Sequence, residues 1–280
     1  MAFARHGYGV AVVMRRGYGR SGGAFVDQSG PCSNKEYVRS TRDIAEEILA
    51  ALGRLEQESW VDSKRVVLLG HSAGGIATVE AGARNPPGVL AVISFAGGRG
   101  SDGAEHVCRP DRLVSAYKTF GKGARIPNEW IFSRNDRYFD SSLASQMREA
   151  YASSGAPVDL VIAPPFGNDG HALALSPTPA VWWPHVEPFL RKVGLPADLV
   201  HPASRPTLLA PPTLESAGQR AFEAYVASDG FEKAFAVGGV HWGWSAGKRA
   251  QTEAAQAAIE QCRKQAATCS LYAIGNEYVR

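Results

Sequence analysis

No stretch of this 280-residue chain approaches the roughly 20 consecutive apolar residues a helix needs to cross a bilayer; its long runs are of the kind Val89-Leu90-Ala91-Val92-Ile93. No transmembrane helix is expected. Basic residues do not crowd either: 30 Lys and Arg against 27 Asp and Glu leave a formal net charge of +3 with no dense basic stripe, which argues against a nucleic-acid partner. Cysteine is sparse. Cys32, Cys108, Cys262 and Cys269 have no CxxC motif and no metal-ligand spacing, so they are disulfide partners or ordinary thiols. Two pairings suit their positions: Cys262 with Cys269, close in sequence, and Cys32 with Cys108, each in a Gly/Pro-rich loop. Oxidation would imply export and reduced thiols a cytosolic chain; residues 1–20 do not read as a signal peptide. What is present is a 45% apolar composition, enough to fill a core, in a length that suits one large domain or one with an appendage.

Short continuous apolar runs mark strands buried on both faces of a parallel sheet. They fall at 10–14, 66–69, 89–95, 130–132 and 158–162. Between them, apolar residues recur at helical spacing. Ser33 with Glu36 forms a capping box ahead of a helix carrying Tyr37, Thr41, Ile44, Ile48, Leu52 and Leu55. The helix after 66–69 must stop before Pro86 and Pro87. Leu143, Met147 and Tyr151 mark another, and Trp182, Val186, Phe189 and Leu190 a last one that Pro188 should kink or delay. Five strands interleaved with helices predict an α/β fold with a doubly wound, mostly parallel sheet.

Residues 1–193 form the predicted catalytic domain. Five prolines between 194 and 212 mark a linker, placed at 194–214. Residues 215–280 read as a small α+β domain: helix 215–227, hairpin 233–245 turning at Gly238-Gly239, helix 248–266 and strand 270–274. Its Phe231, Phe235, Trp242, Trp244 and Tyr272 suit a packed core better than a sugar platform. The Gly-rich segment 96–125 reads as a loop or lid.

Gly70-His71-Ser72-Ala73-Gly74 matches G-x-S-x-G between a strand and a helix, where a tight turn would hold the Ser72 hydroxyl clear of the backbone. The bland alternative is a Gly-rich turn with a serine N-cap. A serine hydroxyl needs a base and the base an orienting acid, and both belong on loops after later strands. Asp136 follows the strand at 130–132 and His171 follows that at 158–162. Rival acids are Asp102 and Glu105, while Asp140 suits an N-cap and Asp169 a turn. His6, His106, His185, His201 and His241 read as surface or packed residues.

With Gly-Tyr-Gly-Arg-Ser-Gly-Gly at 17–23, the motif at 70–74, Asn135-Asp136 and Asp169-Gly170-His171, residues 2–193 resemble the α/β-hydrolase superfamily, nearest the dienelactone-hydrolase-like serine esterases. The resemblance implies Ser72 as nucleophile, His171 as base, Asp136 as its acid and the Ala73 N–H as an oxyanion donor, with no metal and no cofactor. Dienelactone hydrolases proper have a cysteine where Ser72 stands. Family members carry three strands before the one that 10–14 resembles, in sheet order 1-2-4-3-5-6-7-8, and a second oxyanion donor on the loop after the third. This sequence does not show them. The favoured expectation is a reading frame opened at an internal Met of an exported parent; the alternative is a shortened, repacked protein. Residues 10–14 should then pair with 66–69 directly or leave a strand-wide gap.

The expected function is hydrolysis of a carboxylic ester or lactone through an acyl-enzyme. A serine peptidase, a thioesterase or an impaired hydrolase-like binding protein is the alternative. Arg99 and His71 are candidate substrate-binding residues, with Arg109 and Arg112 also in the lid. The partner is a small acyl substrate.

Overall fold

The computed structural model describes residues 2–26, 28–176, 178–200, 208–228, 232–248 and 250–279. The chain divides into two compact units, Met1–His201 and Pro202–Arg280. In the first, helix α1 (Tyr37–Leu55) precedes strand β1 (Val66–His71), and helix α2 (Ala73–Ala83) leads to β2 (Val89–Phe95). Then come α3 (Pro110–Phe120), β3 (Asn128–Ser133), α4 (Ser141–Ala152), β4 (Val158–Ala163) and α5 (Trp183–Lys192). The four strands lie side by side in the order β1-β2-β3-β4, all parallel.

Parallel neighbours need a crossover, and right-handed crossovers between strands in sequential order bring the connecting helices to one face. Side chains alternate across each strand. Leu68, Val92, Trp130 and Phe132 accordingly share a core with α1, α2, α3 and α4. Ala91, Ile93 and Ile131 point the other way and are covered by Trp182, Trp183, Val186 and Phe189 at α5. The carboxyl ends of all four strands therefore open on the same edge. Among the described residues no helix is long and apolar enough to cross a membrane.

The structure departs from the sequence reading in four places. Residues 10–14 form no strand, and Val12 is 87% exposed. An apolar run gains from extension only where a hydrogen-bonding neighbour and a covering layer both meet it. Here β1 is the outer strand of its sheet among the described residues, and Ala2–Arg5 is a short helix. Ser33 caps nothing. Cys32–Asn34 close a 3-10 turn, Lys35 is extended and α1 begins only at Tyr37, after Glu36.

Much of the segment read as a lid is helix α3, preceded by a hairpin of Ser101–Gly103 with His106–Val107. Leu113, Ala116, Tyr117 and Phe120 carried that helix in plain spacing, with Pro110 at its first position. The Cys32–Cys108 disulfide pins the hairpin, and the Tyr37 hydroxyl donates to the Cys108 carbonyl. Finally, the start of the supposed linker is packed: Leu195 and Ala197 are buried and the Val200 N–H donates to the Arg5 carbonyl at 3.0 Å. His201, Pro202 and Pro206 lie outside the described residues.

The second unit holds α6 (Ser216–Ala227), β5 (Ala234–Gly238), β6 (His241–Ser245), α7 (Gln251–Arg263), β7 (Ser270–Ile274) and β8 (Glu277–Tyr278). Its antiparallel sheet runs β8-β7-β5-β6. Phe235 packs against Phe222 and Tyr225 of α6 on one face, while Ala234 and Ala236 meet Ala254, Ala258 and Cys262 of α7 on the other. Phe235 is thus core, Trp242, Trp244 and Tyr272 are half-buried against it, and Phe231 lies outside the described residues. Buried Lys233 donates to the carbonyls of Tyr225 and Ser228 at 3.0 and 2.8 Å, a cation at the negative end of α6. A Cys262–Cys269 disulfide closes the turn after α7.

Candidate active site

Three strand ends build the site. At the end of β1, Ser72 takes φ 54° and ψ −122°, a positive φ that a side chain rarely adopts. The conformation is held by its own backbone partners: the Ser72 N–H donates to Phe95 O at 2.9 Å, and Ser72 O accepts from Ile76 and Gly98 N–H, each at 3.1 Å. A Cβ on Gly70 would run into Gly74 O and Thr78 Oγ1. On Gly75 it would stand 2.8 Å from Ser94 Oγ and 2.9 Å from Gly97 Cα. Gly74 itself has open space, so steric necessity falls on Gly70 and Gly75 and not on the motif's second glycine.

Beyond β3, the Asp136 side chain is wholly buried, and its Oδ1 accepts from the Tyr138 and Phe139 N–H groups at 2.8 and 2.9 Å. Beyond β4, the turn that carries His171 is fastened to the β3 loop. Asn135 Oδ1 accepts from Phe166 N–H at 2.9 Å, Asn135 Nδ2 donates to Gly167 O at 3.1 Å, and Gly170 N–H donates to Asn135 O at 3.0 Å. Gly170 must be glycine, because a Cβ would strike Ser133 and Asn135.

These loops bring Ser72, His171 and Asp136 into one hydrogen-bonded line. His171 Nε2 is 3.0 Å from Ser72 Oγ, and His171 Nδ1 is 3.2 Å from both carboxylate oxygens of Asp136. A carboxylate can only accept, so the ring proton belongs on Nδ1 and bare Nε2 faces the hydroxyl. Tyr138, Phe139 and His71 ring the imidazole, with centroids 4.6, 5.6 and 4.8 Å away. Burial holds the His71 imidazole below its ordinary pKa, against the opposing effect of its hydrogen bond to the His171 carbonyl. Such a line can move a proton off Ser72 as its oxygen attacks an electrophile.

Residues 1–118 match the family described as serine aminopeptidase, S33 (Hydrolase_4). The match covers less than half of the chain. The matched part holds Ser72 but stops short of Asp136 and His171. No curated protein matches the chain in sequence. Solved structures similar to it include a Klebsiella pneumoniae subsp. pneumoniae protein assigned as a dienelactone hydrolase, 16% identical over 55% of this chain and 61% of that one at a TM-score of 0.41. Esterase PE8 is 17% identical over 56% and 63%, at a TM-score of 0.40. The Pyrococcus furiosus esterase Pf2001 is 14% identical over 63% and 68%, at 0.42. The chain thus spans less than two thirds of the first two.

Around the Ser72–His171–Asp136 line the other candidates separate. The N–H of Ala73, first residue of α2, falls outside the helix's own hydrogen-bond ladder beside Ser72. Arg99 is instead buried and donates to the Ser40 carbonyl of α1 at 2.8 Å. Arg109 pairs with nearby Asp111 on the surface, and Arg112 donates to Asn34 Oδ1 at 2.6 Å. Of the rival acids, Asp140 caps α4 through Leu143 N–H, Asp169 accepts from His171 N–H, Asp102 pairs with His106 and Glu105 with Arg137. His6 stacks on Trp183.

Sequence reasoning named Asn135 without giving it a task and missed its clasp on two loops; the adjacency Asn135-Asp136 was the available signal. One group of metal-ligand types clusters among the described residues, Cys32, Asp102, His106 and Cys108, with donor atoms within 4.8 Å of one another. Both sulfurs are engaged in the disulfide, and Asp102 and His106 hydrogen-bond to each other.

Proposed function

We propose that the first unit is a serine hydrolase acting on a carboxylic ester or lactone. The observation that carries this reading is the 3.0 Å approach of His171 Nε2 to Ser72 Oγ, with Asp136 behind the same imidazole. Ser72 Oγ attacks the acyl carbon while its proton passes to His171 Nε2. Asp136 keeps the other ring proton on Nδ1 and stabilises the imidazolium. The Ala73 N–H, at the positive end of α2, donates to the oxyanion. The leaving alcohol takes the proton from Nε2 as the intermediate collapses to an acyl-enzyme. Water, deprotonated by the same nitrogen, then releases the acid. None of these steps calls for a metal or cofactor.

The family description of the N-terminal match, a serine aminopeptidase, favours a second reading in which the same groups open an amide. The test is turnover of p-nitrophenyl acetate and butyrate beside aminoacyl p-nitroanilides by the purified chain, with fluorophosphonate labelling. The ester reading expects ester turnover and labelling, both abolished in Ser72→Ala. Anilide turnover above ester turnover would favour the peptidase. Neither turnover nor labelling would reject both and leave a binding protein.

A further inference from the structure

The four polar groups of His171 are all held. Its ring nitrogens meet Asp136 and Ser72, its N–H donates to Asp169 Oδ1 at 2.9 Å, and its carbonyl stands 2.8 Å from Nε2 of His71. The fourth partner is the residue immediately before Ser72. We propose, on the triad reading above, that His71 is a positioning residue whose imidazole fixes the base's backbone to the turn that carries Ser72.

The chemistry of the contact sets the tautomer. A carbonyl oxygen only accepts, so Nε2 of His71 carries a hydrogen and, in the neutral ring, Nδ1 is bare. Burial favours that neutral form. The two ends of the contact are 100 residues apart in sequence, yet the backbone of His71 continues directly into Ser72. Any shift of the turn after β4 relative to the end of β1 therefore stretches this bond together with the Ser72–His171 bond. Asp169 holds the N–H side of His171 from within its own loop and cannot register that loop against β1. Asn135 fastens it to the β3 loop only. Among the hydrogen bonds named here, His71 supplies the tie from side chain to backbone that spans nucleophile and base. Misplacement of a reacting group by about 1 Å can cost on the order of 100-fold in rate, so such a tie bears on kcat and leaves substrate affinity alone.

The test uses the full chain with two substitutions. His71→Phe keeps an aromatic ring of similar bulk and removes the donor, whereas His71→Gln places an amide N–H at nearly the reach of Nε2. For p-nitrophenyl butyrate, His71→Phe is expected to lower kcat about 10-fold or more with KM within about 2-fold, and His71→Gln to recover most of that loss. Imidazole 15N spectra supply a readout independent of turnover: His71 in the wild type should be the neutral Nε2–H tautomer, and the His171 ring signals should shift in the Phe variant and return towards wild type in the Gln variant. A Phe variant with wild-type kcat and unmoved His171 signals overturns the proposal, as does a folded Gln variant no better than the Phe variant. If the wild type neither turns over esters nor labels at Ser72, the hydrolase reading falls. The nitrogen spectra then decide the positioning role alone, with unmoved His171 signals rejecting it.

Discussion

Asp136 meets His171 with both carboxylate oxygens at 3.2 Å from Nδ1, and one of those oxygens also accepts from the Tyr138 and Phe139 N–H groups. The carboxylate is thereby fixed by the backbone before it fixes the imidazole. In Asp136→Asn the amide oxygen can still accept from those two N–H groups, which turns the NH2 towards His171. Nδ1 must then accept, Nε2 carries the hydrogen, and it can no longer take the serine proton. On the proposed mechanism kcat should fall by roughly 10³–10⁴-fold with little change in the thermal unfolding midpoint. Steady-state kinetics beside calorimetry checks both halves. Loss of stability matching loss of rate would point to a purely structural carboxylate.

The two glycines after Ser72 should respond differently. A Cβ on Gly75 lies 2.8 Å from Ser94 Oγ and 2.9 Å from Gly97 Cα, whereas one on Gly74 meets nothing within 4 Å. Gly75→Ala is expected to destabilise by about 1–3 kcal/mol through overpacking, and Gly74→Ala to be tolerated. Urea unfolding of both variants gives the comparison.

Glu129 on β3 is 6% exposed, and its Oε1 has no hydrogen-bond partner among the described residues. Burial first, then the nearby Asp159 carboxylate, pushes its pKa up to about 8, against the pull of Lys192. Its folded value lies above the unfolded one of roughly 4.3. The stability tied to the neutral acid is therefore full below that unfolded value and is lost as pH rises through about 8. Glu129→Gln should flatten the fall in unfolding free energy between pH 5 and pH 8, by a few kcal/mol at the upper end. Denaturant titrations at the two pH values test the sign, and a variant with the wild-type slope would exclude Glu129 as its source.

The disulfides join residues 76 and 7 positions apart. In the chain-entropy account the longer loop contributes on the order of 4 kcal/mol and the shorter about 2.5 kcal/mol. Cys32→Ser with Cys108→Ser should therefore lower the stability of the first unit more than Cys262→Ser with Cys269→Ser lowers that of the second. Calorimetric traces of the two double variants check the order.

Much of the fold was legible because local chemistry and tertiary structure agree where an apolar segment finds a strand to pair with. The runs at 66–69, 89–95, 130–132 and 158–162 all became strands, since each finds neighbours and a covering layer. The run at 10–14 is equally apolar and stayed irregular, because hydropathy says nothing about whether a partner edge is within reach. Ser33 had the right residues for a helix cap, but a disulfide and a 3-10 turn at Cys32 moved the helix start. Helix α3 was in the sequence and was lost under a count of glycines around it.

Residue type and order alone singled out Ser72, Asp136 and His171, because a serine, a carboxylate and an imidazole placed after the first, third and fourth strands form a pattern that chain order preserves. Folding alone decided which of the remaining polar residues face that line. Arg99 turned inward to α1 and His71 turned to the His171 carbonyl, because a side chain's partner is set by what the packed backbone leaves unsatisfied nearby, and that requires the three-dimensional positions of segments 59 and 100 residues apart.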